Sequence, residues 1–465
     1  MMVKTNTSSL LYRTLLLTVY SAAFLNFHAV CDTTSSKHRP CQARAVNFEG
    51  WSAQEISNEW VTLTLVPQLG GRLMQVRFGP HSYLFVNPKY RGKYIPPTEA
   101  NGNWFNYGGD KLWPLPEGTQ DDQHWPGPVA DVLDDGMYTF QILSTAPSCR
   151  VRLDGPGDAR TGLQYSREIT LGSDSPEIWF RAMMKNVSDH PIRWSMQSVT
   201  QYDTAASPGS GEYNAKFWAF TPVNPTSAYV DGYHFRLGLS GDPSVEVRNH
   251  MFRLHWSYFE REIWIDSTAG WLAVLDGSSQ FAMIERFPHS AGAEYPGKAS
   301  VIFYTNGQAV EFDKQGAPHL TPANPLEVPF YMEAEVNSPM IRLNVGDTYA
   351  LDTNWFPARI ADEITAVTQA GAVGRALTAT WTDNGLLLAG SFGVFAPGDL
   401  IAFLLDAEGV QMATVTLQTV SPLDRVELAQ TIKAPATVSR ISVHLRDERG
   451  RDLGPLADAT IAKGS

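Results

Sequence analysis

The residues best suited to chemistry lie in two separated places. At residues 329–336 the run Pro-Phe-Tyr-Met-Glu-Ala-Glu-Val alternates, so Glu333 and Glu335 share one face of an expected strand, with Tyr331 in line. A carboxylate so placed can act as the base of a proton transfer, with a separate group as the acid. A pair of outward acids on a solvated sheet face is the competing reading. The second place is residues 101–117, Asn-Gly-Asn-Trp-Phe-Asn-Tyr-Gly-Gly-Asp-Lys-Leu-Trp-Pro-Leu-Pro-Glu. Its glycines and prolines break any helix, and the stretch reads as a loop. Trp104 and Trp113 offer flat apolar faces, and Asn106, Asp110, Lys111 and Glu117 offer donors and acceptors around them. A ligand with apolar ring faces and a rim of hydroxyls, a carbohydrate, suits that mixture. An aromatic plug closing one end of a β-sandwich is the alternative.

Other polar residues extend the set. Arg72 follows Gly70 and Gly71 at a strand start, where it can reach a ligand hydroxyl or pair with Asp110 or Glu117. His124, in the loop after the aromatic stretch, and His255, on an expected strand, are the candidate proton donors. The doublets Asp121-Asp122 and Asp134-Asp135 offer oxygen ligands for calcium, but neither sits in an EF-hand pattern, and both read as solvated surface. The three cysteines fit no zinc motif. In an exported chain Cys41 and Cys149 can pair, leaving Cys31 free or acylated. The sequence contains no GxGxxG, no P-loop and no strand-helix alternation, which argues against a nucleotide-binding α/β fold, and no GxSxG motif of a serine hydrolase. No metal and no cofactor is expected.

These side chains must be positioned by strands. Residues 60–66, 72–78, 138–143, 163–171, 177–186 and 192–201 read as short strands, and the rhythm resumes at 251–256, 262–266, 271–275, 281–285, 299–305 and 347–355. With no amphipathic helix of ordinary length, the expectation is an all-β, antiparallel architecture. Composition shifts between residues 360 and 377, and Trp381 is the only tryptophan beyond that point. A first domain over 44–360 and a small immunoglobulin-like β-sandwich over 366–465 follow. The net charge of −12 and the lack of a basic cluster exclude nucleic acid as an expected partner.

The N-terminus reads as a signal peptide over residues 1–30. Lys4 and Arg13 precede an apolar run at 15–30, with Ser21, Ala22 and Ala23 as small cleavage-site residues. Asn26 and His28 interrupt that run, against a retained membrane helix, and Val30 is a poor neighbour for a lipidated Cys31. A secreted or periplasmic chain with no membrane span after processing is the result. Its oligomeric state is not legible.

Several blocks resemble a family. Val-Pro-Gln-Leu-Gly-Gly-Arg at 66–72, Val-Asn-Pro at 86–88 and Asn-Tyr-Gly-Gly-Asp-Lys-Leu-Trp-Pro at 106–114 look like the bacterial DUF4380 family. So do Tyr-Met-Glu-Ala-Glu at 331–335 and Leu-Asn-Val-Gly at 343–346. That family is similar to the galactose mutarotase-like superfamily, which includes aldose 1-epimerases. Over residues 44–360 the resemblance implies an antiparallel β-supersandwich whose concave face binds sugar. It also implies a late-strand glutamate as base, here Glu335 with Glu333 as second choice, and a histidine as acid. The tandem histidine of the epimerases has no counterpart here, which leaves His124 and His255. Arg72, Trp104, Asn106, Asp110, Lys111, Trp113 and Glu117 are placed around the sugar. The function so implied is an exported carbohydrate-binding protein that acts as a sugar 1-epimerase. A non-catalytic glycan-binding module and a polysaccharide lyase or hydrolase are the alternatives.

Overall fold

The computed structural model describes residues 40–461 except 208 and 240. The signal-peptide reading and Cys31 lie outside the described residues. The chain is all-β and antiparallel in its strand pairs, with one four-residue α-helix, Val132–Asp135, among the described residues. No helix among them is long and apolar enough to cross a membrane.

Alternating side chains explain most of the strands. Along Ile178–Asn186, for instance, Ile178, Phe180, Ala182 and Met184 are buried while the residues between them are more open. Two large sheets result among the described residues. One has twelve strands, with Arg72–Phe78, Asp110–Leu115, Ile192–Asp203, Tyr331–Asn337, Val301–Thr305, Arg261–Ile265 and His234–Leu237 side by side in that order. The other has ten, with Thr348–Arg359 near its centre and Met251–His255 towards one edge. Their inner faces share one core: Leu63, Val76, Met196, Met332, Ala334 and Val336 from the first meet Val151, Ile169, Phe180, Met184, Met283 and Leu351 from the second. A disulfide joins Cys41, beside the edge strand of the first sheet, to Cys149 of the second.

The strand Tyr331–Asn337 departs from the alternating rule, because all seven of its residues are buried. Its inward side chains enter the shared core, and its outward ones lie under other polar and aromatic groups. Glu333 and Glu335 are therefore not the solvated acids of a half-open strand.

Residues 101–117 are less irregular than their composition suggests, since Asp110–Leu115 is a strand. Pro114 would normally argue against a central strand. Here it is tolerated because the strand pairs fully only with Ile192–Asp203. Its other neighbour, Arg72–Phe78, meets it at Leu73 and Asp110 alone, so the missing N–H leaves no ladder bond unmade.

From Ala366 to Thr460 the strands form two four-stranded sheets around a separate core that includes Leu386, Leu388, Leu400, Leu404, Val443 and Leu445. A third apolar cluster joins this part to the ten-stranded sheet: Ile284, Phe356 and Ala358 pack with Ala372 and Phe395. Phe356 stacks on Phe395 at 4.5 Å, and the Arg286 guanidinium lies 5.2 Å from each ring.

Candidate functional site

The outward face of the twelve-stranded sheet carries the site, and strand register assembles it. Gln201, Glu333, Tyr304 and Glu262 are successive partners across four strands. In the parallel row one step along, Lys111, Val199, Glu335, Ile302, Trp264 and His234 follow one another. Because side chains directly opposite in register share a face, both rows project from the same surface.

At the centre, Lys111 Nζ lies 3.2 Å from Glu333 Oε1, and Gln201 Nε2 donates to the same oxygen at 2.6 Å. Glu335 accepts a hydrogen bond from the Gln197 amide. Glu333 and Glu335 are 5% and 4% exposed, and Lys111 is 1% exposed, so bulk water barely screens the group. Burial first, and then the charge of Glu333, push the Glu335 carboxyl well above the usual carboxylate range. Glu262 is also pushed up, mainly by burial and further by Glu333, while the Trp264 N–H bonded to it at 2.5 Å and the charge of Arg236 pull the other way. Glu117 is largely exposed and forms an isolated bridge with Trp125. Partial burial and the charges of Glu262 and Glu333 raise it too, with solvent damping the effect.

The aromatic wall is built on one carboxylate. Asp134 accepts from Trp113 Nε1 at 2.7 Å, from Trp104 Nε1 at 2.9 Å and from Arg72 at 2.9 Å. The two indoles meet edge-on at 5.8 Å, and the Lys111 ammonium lies 4.5 Å from the Trp113 ring centre and 5.8 Å from that of Trp104. Both indoles are half-buried, and Trp113 also packs against Trp125 and the main core. Asn106 bonds to Tyr331, whose ring stacks on Phe85 at 5.0 Å.

Some expected ligand contacts prove to be framework. Asp110 is adjacent to Lys111 on a strand and so points the opposite way. It is fully buried between the sheets, bonded to Arg167, Ser198 and Thr200. Arg72 is likewise closed to solvent and pairs with Asp134 and Asp135, not with Asp110 or Glu117. That pairing also overturns the surface reading of the Asp134-Asp135 doublet: both are buried, and burial together with Asp134 raises the Asp135 carboxyl to about 8. His124 turns to Asp121, 2.7 Å away, in its own loop. His255 lies on the ten-stranded sheet with its ring stacked on Trp218 at 4.3 Å. Its neighbours Phe252 and Leu254 face the core, so alternation turns His255 outward, on the far side of the sandwich from Glu335.

Gln197, Gln201, Glu262, Trp264 and Arg236 join the site without having stood out in the sequence. Arg236 lies on His234–Leu237, where no strand was expected. For Gln197, Gln201, Glu262 and Trp264 the signal available was polar alternation within two expected strands, 192–201 and 262–266. Nothing local distinguishes it from an ordinary solvated face.

No family model matches the chain, so the DUF4380 resemblance stands on its motifs alone. No curated protein matches either. Among solved structures, a galactose mutarotase-like protein from Clostridium acetobutylicum is 8% identical, aligned over 69% of this chain and 99% of its own, with a TM-score of 0.43. A putative aldose 1-epimerase from Escherichia coli K12 is 8% identical over 69% of this chain and 99% of its own, with a TM-score of 0.38. A TPR-domain-containing protein from Parabacteroides distasonis is 13% identical, aligned over 66% of this chain but 47% of its own, with a TM-score of 0.41.

Proposed function

We propose that this face binds a carbohydrate and interconverts its anomers by acid–base proton transfer. The observation that carries the reading is the pair Glu333 and Glu335: one is matched by Lys111, and the carboxyl of the other, beside it, is pushed well above the usual range by burial and then by the charge of Glu333. The sequence expectation makes Glu335 the base; its raised proton affinity argues instead for the acid, giving its proton to the ring oxygen. Glu262, in the row of Glu333 two strands across and so about 12 Å from Glu335 at the backbone, takes the proton of the anomeric hydroxyl. The ring C–O bond breaks, the open-chain aldehyde turns about its first carbon–carbon bond, and closure returns both protons. Trp104 and Trp113 supply the ring-facing wall, and Gln197 and Gln201 hold the carboxyl groups in place.

The test is anomer equilibration of freshly dissolved glucose and galactose followed by NMR. Glu335→Gln and Glu262→Gln should each slow it by about 10²–10⁴-fold while leaving saturable binding. Acceleration that survives both substitutions would remove the assignment. A second reading, a glycan-binding module without turnover, is favoured by how closed the carboxyl floor is to solvent. Saturable binding that Trp104→Ala weakens, with no equilibration of any sugar, would establish it. We also propose export, which the Cys41–Cys149 disulfide supports because such bonds persist in oxidising compartments.

A further inference from the structure

The face that carries Glu335 holds more carboxyl groups than cations. Glu260 stands two positions before Glu262, so alternation puts both on the outward side. Glu260 Oε1 accepts a hydrogen bond from Tyr304 Oη at 3.0 Å, and Tyr304 lies in the row of Glu333. Glu117 feels the charges of Glu262, Arg236 and Glu333. The carboxyl groups of Glu117, Glu260, Glu262, Glu333 and Glu335 therefore border one space, and the cations that act on them are Lys111 and Arg236.

Among the described residues the one ion pair within this group is Lys111 with Glu333. The Arg236 guanidinium lies over the Trp264 ring instead, 6.0 Å from its centre. Burial, and then the charges of other members of the group, raise the proton affinity of Glu117 and Glu335. With Glu335 protonated, four carboxylates still face two cations, so the space lacks positive charge.

A second observation, independent of the charges, points to a missing donor. The Gln201 side chain is fully buried on this face, and its Nε2 is bonded to Glu333. Its Oε1 has no hydrogen-bond partner among the described residues. Buried acceptors are normally satisfied, so one left bare beside a carboxylate calls for a donor.

The protein itself shows how an ammonium is held here. Lys111 Nζ sits 3.2 Å from Glu333 Oε1 and 4.5 Å from the Trp113 ring centre, between a carboxylate and an aromatic face. The floor is closed, but Glu260 and Glu262 are half-buried and Glu117 is largely exposed, so the rim is open to a ligand. Among the described residues no three acids converge closely enough to hold a metal ion. Charge spread along a rim in this way suits an organic cation.

We infer that the sugar this face takes carries a protonated amine, as the 2-amino sugars do, with its ammonium against the unpaired rim carboxylates and a donor for Gln201 Oε1. This rests on reading the face as a carbohydrate site. The experiment is calorimetric titration of the full chain at about pH 6, below the usual amine range of about 7.7–8.0. The probes are glucosamine and galactosamine, glucose and galactose, N-acetylglucosamine as the uncharged amide, and calcium chloride. The proteins are wild type, Glu117→Gln, Glu260→Gln and Arg236→Gln. All three substitutions fall at sites open or partly open to solvent, so the variants should fold. Each amino sugar should bind roughly tenfold or more tighter than its neutral parent, and N-acetylglucosamine should lose that advantage. The advantage should fall by about threefold in Glu117→Gln and in Glu260→Gln, and grow in Arg236→Gln. Neutral sugars that bind as well as amino sugars, or an advantage that none of the three variants changes, would overturn the amine and leave the carbohydrate reading. Calcium binding that abolishes the advantage would assign the missing charge to a metal ion and overturn the inference. Absence of binding by every sugar would overturn the carbohydrate reading and the inference with it.

Discussion

The Lys111 ammonium and the Glu333 carboxylate stand 3.2 Å apart with 1% and 6% of their side chains exposed. Neither charge can fall back on water if the other is removed. Lys111→Met should cost about 3–5 kcal/mol of stability, the usual penalty for stranding a buried charge. The double variant Lys111→Met/Glu333→Gln should recover much of that. Urea unfolding of the four members of the cycle measures the coupling, and a cycle that closes near zero would mean the pair does not hold the site together.

Asp134 gathers three donors from Arg72, Trp104 and Trp113. Asp134→Ala leaves Arg72 with Asp135 as its carboxylate and frees two indole N–H groups. A loss of about 3–5 kcal/mol is expected, with a change in tryptophan emission because two indoles lose their acceptor. Stability lowered by under about 1 kcal/mol would show that Asp135 suffices for Arg72.

Glu285 lies between the sheets and accepts a hydrogen bond from Tyr202. Burial is the main reason its carboxyl is raised from 4.5 to about 8. The folded chain therefore keeps a proton that the unfolded chain releases near pH 4.5. Glu285 contributes its full stability below that pH, and the contribution falls as pH rises towards about 8, by up to about 1.4 kcal/mol per pH unit. Glu285→Gln should flatten the pH–stability curve between pH 5 and 7.5 relative to wild type. Parallel curves for the two proteins would show that Glu285 titrates normally.

The Cys41–Cys149 bond closes a chain separation of 108 residues. Cross-linking a loop of that length restricts the unfolded chain strongly. Cys41→Ser/Cys149→Ser should cost about 2–5 kcal/mol, seen as a lower Tm that reductant no longer changes. Indifference of the wild-type Tm to reductant would argue that the bond contributes little.

What the sequence determined on its own was local. Short alternating runs joined by Gly- and Pro-rich turns specify an all-β chain, because a strand's side-chain period of two is written into consecutive residues. The same period by itself puts Glu333 and Glu335 on one face. It also held the answer for Asp110 and Lys111. Neighbours on a strand must point opposite ways, and only the loop-like composition around Pro114 hid that a strand was there.

Tertiary structure decided which face meets what. Gln201 and Glu333 are 132 residues apart in sequence, and their hydrogen bond exists because two distant strands pair in one register among many possible ones. The same long-range pairing brings Glu262 into the row of Glu333 and Trp264 into the row of Glu335. It puts His255 on the other sheet and buries Arg72 beside Asp134. Burial and charge compensation, which set the proton affinity of Glu335, depend on those non-local contacts. No window of neighbouring residues contains them.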